Sequence, residues 1–376
     1  MKRLLTIGHS YVVAQNRRLA HEIAVQGRGT WEVTAAAPAR FAGDLRKIQL
    51  EPLEKEACRL VALPVHVDSV PHLMVYGRGL GALLREPWDL IHCWEEPYVA
   101  SAYQIARLAP SASRLVFASF QNISKRYPPP FNWFERRVVG RASGWIGFGH
   151  TVHEALASRD GYAARPSRVI PAGVDVEAFA PDSAARLRIR SQIGWDDSVP
   201  VIGFLGRFVE AKGIRLLTTV LTSLRVPWRA LFVGDGPELG HLREFEAARP
   251  SRVAIATAVR HDDVPAHLNA MDILCAPSRT TPAWREQFGR MTVEAMACGV
   301  PVVASDGGEI PHVLGDAGSV LPEGDTERWR IELESLLPDT GRRSEFARRG
   351  RARAAERFAW PVVAARHLEF FDELTS

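Results

Sequence analysis

Two cations stand on one glycine-bounded loop, Gly206-Arg207-Phe208-Val209-Glu210-Ala211-Lys212-Gly213. The run before it, Val199 to Leu205, reads as a strand, and a helix pattern opens after it. Glycine at a strand end admits a ligand to the backbone, and the first N–H groups of a helix lack intrahelical partners and favour an anion. With Arg207 and Lys212 added, the loop suits a diphosphate; solvated surface cations are the other reading. The P-loop spacing GxxxxGK[ST] is absent. Two carboxylates follow, Glu286 and Glu294, around Gln287-Phe288-Gly289-Arg290. The spacing predicts a helix from near Gly289 to Cys298, closed by Gly299 and stopped by Pro301, so Glu286 lies on the loop and Glu294 inside the helix. The N–H groups of Phe288 to Met291 form an anion site, Glu286 could orient sugar hydroxyls, and Glu294 could accept hydrogen bonds from a ribose. Alternatively, Glu286 answers the helix dipole and Glu294 is a surface residue of an amphipathic helix; spacing leaves both choices open. Phe232-Val233-Gly234-Asp235-Gly236-Pro237 supplies a second glycine turn after a strand.

These loops need a scaffold of alternating strands and helices. In the first half, Arg3 to Ile7, Trp31 to Ala36, Arg59 to Val65, Leu90 to Trp94, Arg114 to Ser119 and Gly144 to Phe148 read as strands. Ala100 to Leu108 and Val152 to Ala157 read as helices. In the second half, Val199 to Leu205, Ala230 to Val233, Val253 to Thr257, Ile273 to Ala276, Val300 to Ala304 and Gly318 to Leu321 are strands, with helices over Ile214 to Leu224, Leu239 to Ala248 and Val264 to Ala270. Such alternation predicts an α/β fold of two parallel sheets covered on both faces. Proline and glycine in Ile170-Pro171-Ala172-Gly173 mark the boundary. The expected domains are 1–171, 172–358 and a C-terminal helix over 359–376. In open parallel sheets ligands bind beyond the strands' carboxyl ends.

A length of 376 residues suits two domains, and 46% hydrophobic with 24% charged residues excludes disordered, collagen-like and coiled-coil chains. The four cysteines, Cys58, Cys93, Cys275 and Cys298, have no paired spacing, so neither a disulfide framework nor a zinc module is expected. No run is long and apolar enough for a membrane span or a secretory signal, which predicts a cytoplasmic protein. Up to Ala172 there are 22 Lys+Arg against 14 Asp+Glu; the remainder has 25 against 29. The basic first half suits an anionic acceptor or membrane surface, or is a solvated imbalance.

Glu286-x7-Glu294 resembles the EX7E motif of the family 4 retaining glycosyltransferases. The resemblance extends to the hinge Val169-Ile170-Pro171-Ala172-Gly173-Val174-Asp175, the loop Gly206-Arg207-x4-Lys212-Gly213 and the turn Val233-Gly234-Asp235-Gly236-Pro237. It continues through Ala295 to Ser305 with Gly307-Gly308, and ends with Phe358-x-Trp360. It holds in order from about Val169 onward; in the first half it is architectural, with some similarity in Glu95-Glu96-Pro97-Tyr98 and in Gln121 to Pro128. Ala172 departs from the family's usual Asn, and Phe120-Gln121-Asn122 replaces a histidine that many members place near the acceptor.

The resemblance implies the GT-B fold, two facing Rossmann-like domains with the C-terminal helix crossing back onto the first. It implies a nucleotide-diphosphate sugar (UDP-, GDP- or ADP-sugar) as co-substrate, bound by the second domain, and a hydroxyl acceptor on the first. By the resemblance Arg207, Lys212 and Glu286 are catalytic. The donor site is Gly206, Arg207, Lys212, Gly234, Val259, Glu286, Gln287, Phe288, Gly289, Arg290 and Glu294, with Val259 lining the base pocket. His9, Glu95, Gln121 and Asn122 lie on the acceptor side. No bound cofactor, metal or nucleic acid is expected, and there is no Asp-x-Asp motif. Lys125, Arg126, Arg136, Arg137 and Arg141, interleaved with Tyr127, Phe131, Trp133 and Phe134, suit contact with RNA or peripheral contact with an anionic membrane, the membrane being favoured, with an acceptor-clasping loop as the plainer role. A GT-B epimerase or phosphorylase and a non-catalytic surface-binding protein are the alternatives. Gly77-Arg78-Gly79-Leu80-Gly81 follows a stretch, His72 to Tyr76, that reads as helix and so falls short of a dinucleotide fingerprint; His150 and His153 lack a third metal ligand.

Overall fold

A computed structural model describes residues 1–42, 47–53 and 55–376. The chain forms two compact units, Met1–Gly173 with Trp360–Ser376, and Val174–Ala359.

The first unit is built on seven parallel strands, β1 (Lys2–Ile7), β2 (Trp31–Pro38), β3 (Arg59–Leu63), β4 (Leu90–Cys93), β5 (Arg114–Ser119), β6 (Gly144–Gly147) and β7 (Ser167–Val169), in spatial order β7-β6-β5-β4-β1-β2-β3. Successive residues of a strand point to opposite faces. Leu4, Leu90, Val116 and Ile146 therefore enter one core, while Leu5, Ile91, Leu115 and Trp145 enter the other. Burial on both faces explains why these strands are continuous apolar runs rather than alternating ones. On the first face lie α1 (Arg18–Gln26) and the C-terminal helix Trp360–Thr375, which buries Val363, Phe370 and Phe371 and ties Asp372 to Trp31 Nε1 at 3.2 Å and to Lys2 Nζ at 2.8 Å. On the other face lie α2 (Ala100–Leu108), α3 (Phe131–Arg141) and α4 (His150–Ala157), through Ile105, Val138 and Leu156.

β7 is not among the expected strands, and two other stretches differ from expectation. The strand foreseen over Arg59 to Val65 breaks at Pro64, and Val65–His66 leaves the sheet to pair antiparallel with Val75–Tyr76. His72 to Tyr76 is therefore not a helix: a 3₁₀ turn over Pro71–Leu73 gives way to a strand whose Tyr76 N–H and C=O are both held by the Gln104 side chain, at 2.9 and 2.8 Å. A β-branched residue and an aromatic, with Met74 and Tyr76 buried on one side, favour the extended form.

The second unit has six parallel strands, β8 (Val201–Leu205), β9 (Arg229–Val233), β10 (Val253–Ala256), β11 (Ile273–Ala276), β12 (Val302–Ser305) and β13 (Gly318–Leu321), in order β10-β9-β8-β11-β12-β13. β8 and β12 start later than Val199 and Val300 because Pro200 and Pro301 cannot donate to a ladder; their carbonyls accept from Arg229 N and Leu274 N at its end. α5 (Ile214–Ser223), α6 (Leu239–Ala247), α7 (Arg290–Ala297) and α8 (Thr340–Arg353) are among the helices of this unit. Phe204, Phe232, Leu217, Val220, Leu242 and Trp329 contribute to its core. Both sheets reverse their strand order between the first strand and the fourth, at β1/β4 and β8/β11, and such a reversal opens a crevice at the carboxyl ends of the strands. Among the described residues no helix is long and apolar enough to cross a membrane.

Candidate functional site

In the second unit the loops after β9, β8, β11 and β12 converge at that reversal. The Gly206 and Gly234 turns pack backbone to backbone: a Cβ on Gly234 would lie 1.9 Å from the Gly206 carbonyl oxygen. Phe208 N donates to Asp235 O at 2.7 Å and Glu238 N to Phe208 O at 2.9 Å. At the far end of the loop Gly213, with φ of +72°, has the Pro277 carbonyl oxygen 1.8 Å from where a Cβ would be, so only glycine lets α5 begin against the loop after β11.

Lys212 and Glu286 meet there. Lys212 Nζ donates to Glu286 Oε2 and lies 5.0 Å from the centre of the Trp284 ring, while Ser278 Oγ donates to the same oxygen at 3.0 Å. The lysine and carboxylate side chains are only 13% and 9% exposed. Glu286 is held through its backbone as well: its carbonyl accepts from Glu309 N at 3.1 Å, and Gly308, at φ of +65°, would put a Cβ 2.1 Å from that oxygen. Arg207 is exposed and, among the described residues, has no ion-pair partner. One cation is therefore pre-set against the carboxylate and the other stands open to solvent.

Gly289, at φ 76° and ψ 53°, caps α7. Phe288 is buried against Phe358 with ring centres 5.8 Å apart; Gln287 is partly buried and Arg290 exposed. Glu294 is not a surface residue: α7 is buried from Met291 through Ala297, with Gly350 of α8 close enough that its Cβ would lie 3.1 Å from Met296 Cγ. Among the described residues no side chain hydrogen-bonds the Glu294 carboxyl. Burial pushes that carboxyl up to about 7, although Arg290 pulls it down. Val259, partly buried, follows β10 directly after Ala258, whose φ of +56° is unusual for a residue with a side chain. Ser278 and Trp284 carry no role in the sequence reading, because no local pattern marks them: Ser278 meets Glu286 only through the folding of their shared loop, and Trp284 meets Lys212 across two loops.

In the first unit the corresponding reversal brings together the ends of β1, β4 and β5. His9 N donates to Glu95 Oε1 at 2.7 Å, His9 Nδ1 lies 2.5 Å from Glu95 Oε2, and Tyr76 OH donates to Glu95 Oε1 at 2.8 Å. Glu95 is buried, and its acceptance of the Nδ1 proton leaves Nε2 as the ring's other nitrogen. Burial alone would lower the His9 pKa, but the charge and hydrogen bond of Glu95 outweigh it and the net shift is upward. Glu96 accepts from Ser119 Oγ at 2.6 Å and Phe120 N at 2.7 Å, and burial raises its carboxyl to about 7. Gln121 N donates to Ser119 Oγ at 3.2 Å, and Asn122 is buried beside it. His153 is structural, with its ring stacked on Trp145 and Nε2 2.9 Å from Ser167 Oγ.

The family profile described as "Glycosyltransferase Family 4" matches residues 16–178, and that described as "Glycosyl transferases group 1" matches residues 199–339. A GDP-mannose-dependent alpha-(1-6)-phosphatidylinositol monomannoside mannosyltransferase of Mycolicibacterium smegmatis is 35% identical over 209 residues, 53% of this chain and 54% of the relative. The protein of the same description from Mycobacterium tuberculosis is 30% identical over 295 residues, 74% of this chain and 76% of the relative. The chain spans about half the length of several of the curated relatives it matches. Its fold is that of Anabaena Alr3699/HepE, solved in complex with UDP, with a TM-score of 0.76 at 20% identity over 99% of this chain and 100% of that one. With a glycosyltransferase family 4 profile matching its first half, a glycosyl transferases group 1 profile its second, and a relative aligned over three quarters of its length, the chain belongs to glycosyltransferase family 4.

Proposed function

We propose that the protein moves a sugar from a nucleotide-diphosphate sugar to a hydroxyl acceptor with retention of anomeric configuration, in polysaccharide, glycolipid or glycoside synthesis. The observation that carries this is the Lys212–Glu286 pair at the carboxyl ends of β8 and β11, whose lysine shares its loop with the open Arg207. A diphosphate bound between Arg207 and Lys212 replaces Glu286 as the lysine's counter-charge. The Glu286 carboxylate, still held by Ser278, then meets the sugar hydroxyls and the positive charge that develops at the anomeric carbon. As the bond from that carbon to the diphosphate breaks, the two cations and the N–H groups of Phe288 to Arg290 take up the leaving charge; one such donor is worth about 3 to 4 kcal/mol. The departing phosphate oxygen accepts the proton of the acceptor hydroxyl, whose oxygen bonds to the same face of the sugar. Two cations and backbone N–H groups thus do the work a metal does elsewhere. Glu294 receives the ribose, Val259 lines the base, and Gly206, Gly234, Gln287 and Gly289 shape the walls.

His9, oriented by Glu95, and Gln121 with Asn122 receive the acceptor. The names of relatives support a glycolipid or inositol-containing acceptor and a GDP- or UDP-linked donor. Work at the cytoplasmic face of an anionic membrane belongs to the same proposal, supported by Trp133, 42% exposed on α3 with the Arg137 guanidinium 5.4 Å over its ring. Incubation with UDP-, GDP- and ADP-sugars, monitored for released nucleotide, tests the proposal: Arg207→Ala should lower turnover by about a hundredfold or more. Acceptor-independent isomerisation of the donor would replace transfer by epimerisation, and phosphate dependence would replace it by phosphorolysis.

A further inference from the structure

The first unit holds a cavity of about 680 Å³ whose lining includes Lys125, Arg126, Tyr127, Glu135, Arg136 and Arg159. Its charges are unequally satisfied. Arg159 donates to Glu135 through Nε at 2.9 Å and Nη2 at 2.6 Å, and to the Lys125 carbonyl. Glu135, buried, also accepts from Tyr162 OH at 2.9 Å, so its charge is answered from within the fold. Lys125, Arg126 and Arg136 are exposed and have no ion-pair partner among the described residues; Asp160 is the other carboxylate of the lining. Three cations converging on one concavity raise its positive potential, and low-dielectric walls focus it. Two of them are guanidinium forks, whose paired N–H groups match two oxygens of a phosphate.

The cavity is linked to the acceptor-side loops through Tyr127 and the chain that leads to it. Lys125 and Arg126 follow Gln121 and Asn122 on one connection between β5 and α3. Tyr127 stacks on Tyr98 with ring centres 4.1 Å apart and 16° between planes, and Tyr98 comes from the loop that carries Glu95. We infer that this cavity binds a phosphate group carried by the acceptor, a hydroxyl compound bearing a phosphate monoester or diester. That the phosphate belongs to an acceptor rests on the transfer proposed above; that the cavity binds phosphate does not.

The test is a thermal-shift and calorimetric titration of the full chain with inorganic phosphate and with glycerol 3-phosphate, against chloride at equal ionic strength. Both phosphates should stabilise the protein beyond chloride, with affinity at least tenfold weaker in an Arg126→Ala/Arg136→Ala double variant, a loss that leaves UDP and GDP binding in place and so separates this cavity from the diphosphate loop. Equal shifts with phosphate and chloride, or a double variant that binds as the wild type does, would overturn the inference. Sedimentation with vesicles of phosphatidylinositol in phosphatidylcholine assigns the source: binding that the double variant loses and glycerol 3-phosphate displaces means a lipid-borne phosphate, and phosphate binding without such vesicle binding means a soluble ester. UDP and GDP titrated in the same assay separate the two ideas. A nucleotide shift without a phosphate shift overturns only the cavity, and a phosphate shift with neither nucleotide shift nor donor turnover overturns only the transfer.

Discussion

Arg207 and Lys212 sit five positions apart on one loop, yet their surroundings assign them different consequences when removed. Lys212 is buried against Glu286, so Lys212→Ala leaves a buried carboxylate without its cation and should destabilise the second unit by about 3 to 5 kcal/mol. Arg207 is exposed, so Arg207→Ala should change stability by no more than about 0.5 kcal/mol while weakening nucleotide binding. Urea denaturation of the two variants, with and without UDP and GDP, checks the contrast. Glu294 makes a pH prediction. Its folded pKa, near 7, lies above the 4.5 of an ordinary glutamate, so between about pH 4.5 and 7 the folded chain holds a proton that the unfolded chain has released. Stability therefore falls as pH rises through that window, and Glu96 contributes a fall of the same sign. Glu294→Gln should flatten its share of the slope, measured as denaturation midpoints across that range, and a variant with the wild-type slope would contradict it. The types and spacing of Arg207, Lys212, Glu286 and Glu294 were visible in the sequence, but not the Lys212–Glu286 contact, because 74 residues separate the pair. Nor was the burial of Glu294, because an amphipathic pattern does not reveal that α8 covers the remaining face of α7.

Glycine does the positioning at the scale of the element. Gly213 and Gly194 have nearly the same positive φ, +72° and +74°, but a Cβ would meet the Pro277 carbonyl at the first and open space at the second. Gly194→Ala should therefore cost about 1 kcal/mol from backbone strain alone, and Gly213→Ala should cost clearly more, since α5 and the loop after β11 must separate. Chemical denaturation of the two variants measures the difference, and equal losses would mean that the close approach at Gly213 does not matter. Most strands were legible because burial on both faces makes each a short apolar run between turn residues. Proline lies behind several of the departures: Pro200 and Pro301 trimmed strands that apolar residues alone would have extended, and Pro64 diverted the chain after β3 into the pair with Val75–Tyr76. That pairing depends on Gln104, which is 28 residues from Tyr76 and invisible to any local pattern.

Seen whole, the chain repeats one device. Each unit reverses its strand order, and at each reversal a basic side chain following the first strand pairs with a glutamate following the fourth: His9 with Glu95, and Lys212 with Glu286. The C-terminal helix completes the first unit, burying Val363, Phe370 and Phe371 there. Ending the chain at Ala359 should therefore destabilise the first unit by several kcal/mol, at about 1.5 to 3 kcal/mol per large apolar side chain, and leave the second unit's transition in place. Scanning calorimetry with nucleotide present would resolve the two. The excess of basic residues before Ala172 was visible from composition, but its distribution was not: Arg159 is spent on Glu135 and Arg141 on the carbonyls of Pro110 and Ser113, which leaves Lys125, Arg126 and Arg136 around one cavity. The most direct test of sugar transfer by the Arg207–Lys212–Glu286 site is nucleotide release from UDP-, GDP- and ADP-sugars by the wild type and by Arg207→Ala and Glu286→Gln. Release from at least one donor by the wild type, lowered about a hundredfold or more in Arg207→Ala and strongly in Glu286→Gln, is the predicted result, and release that both variants retain at the wild-type rate would contradict it.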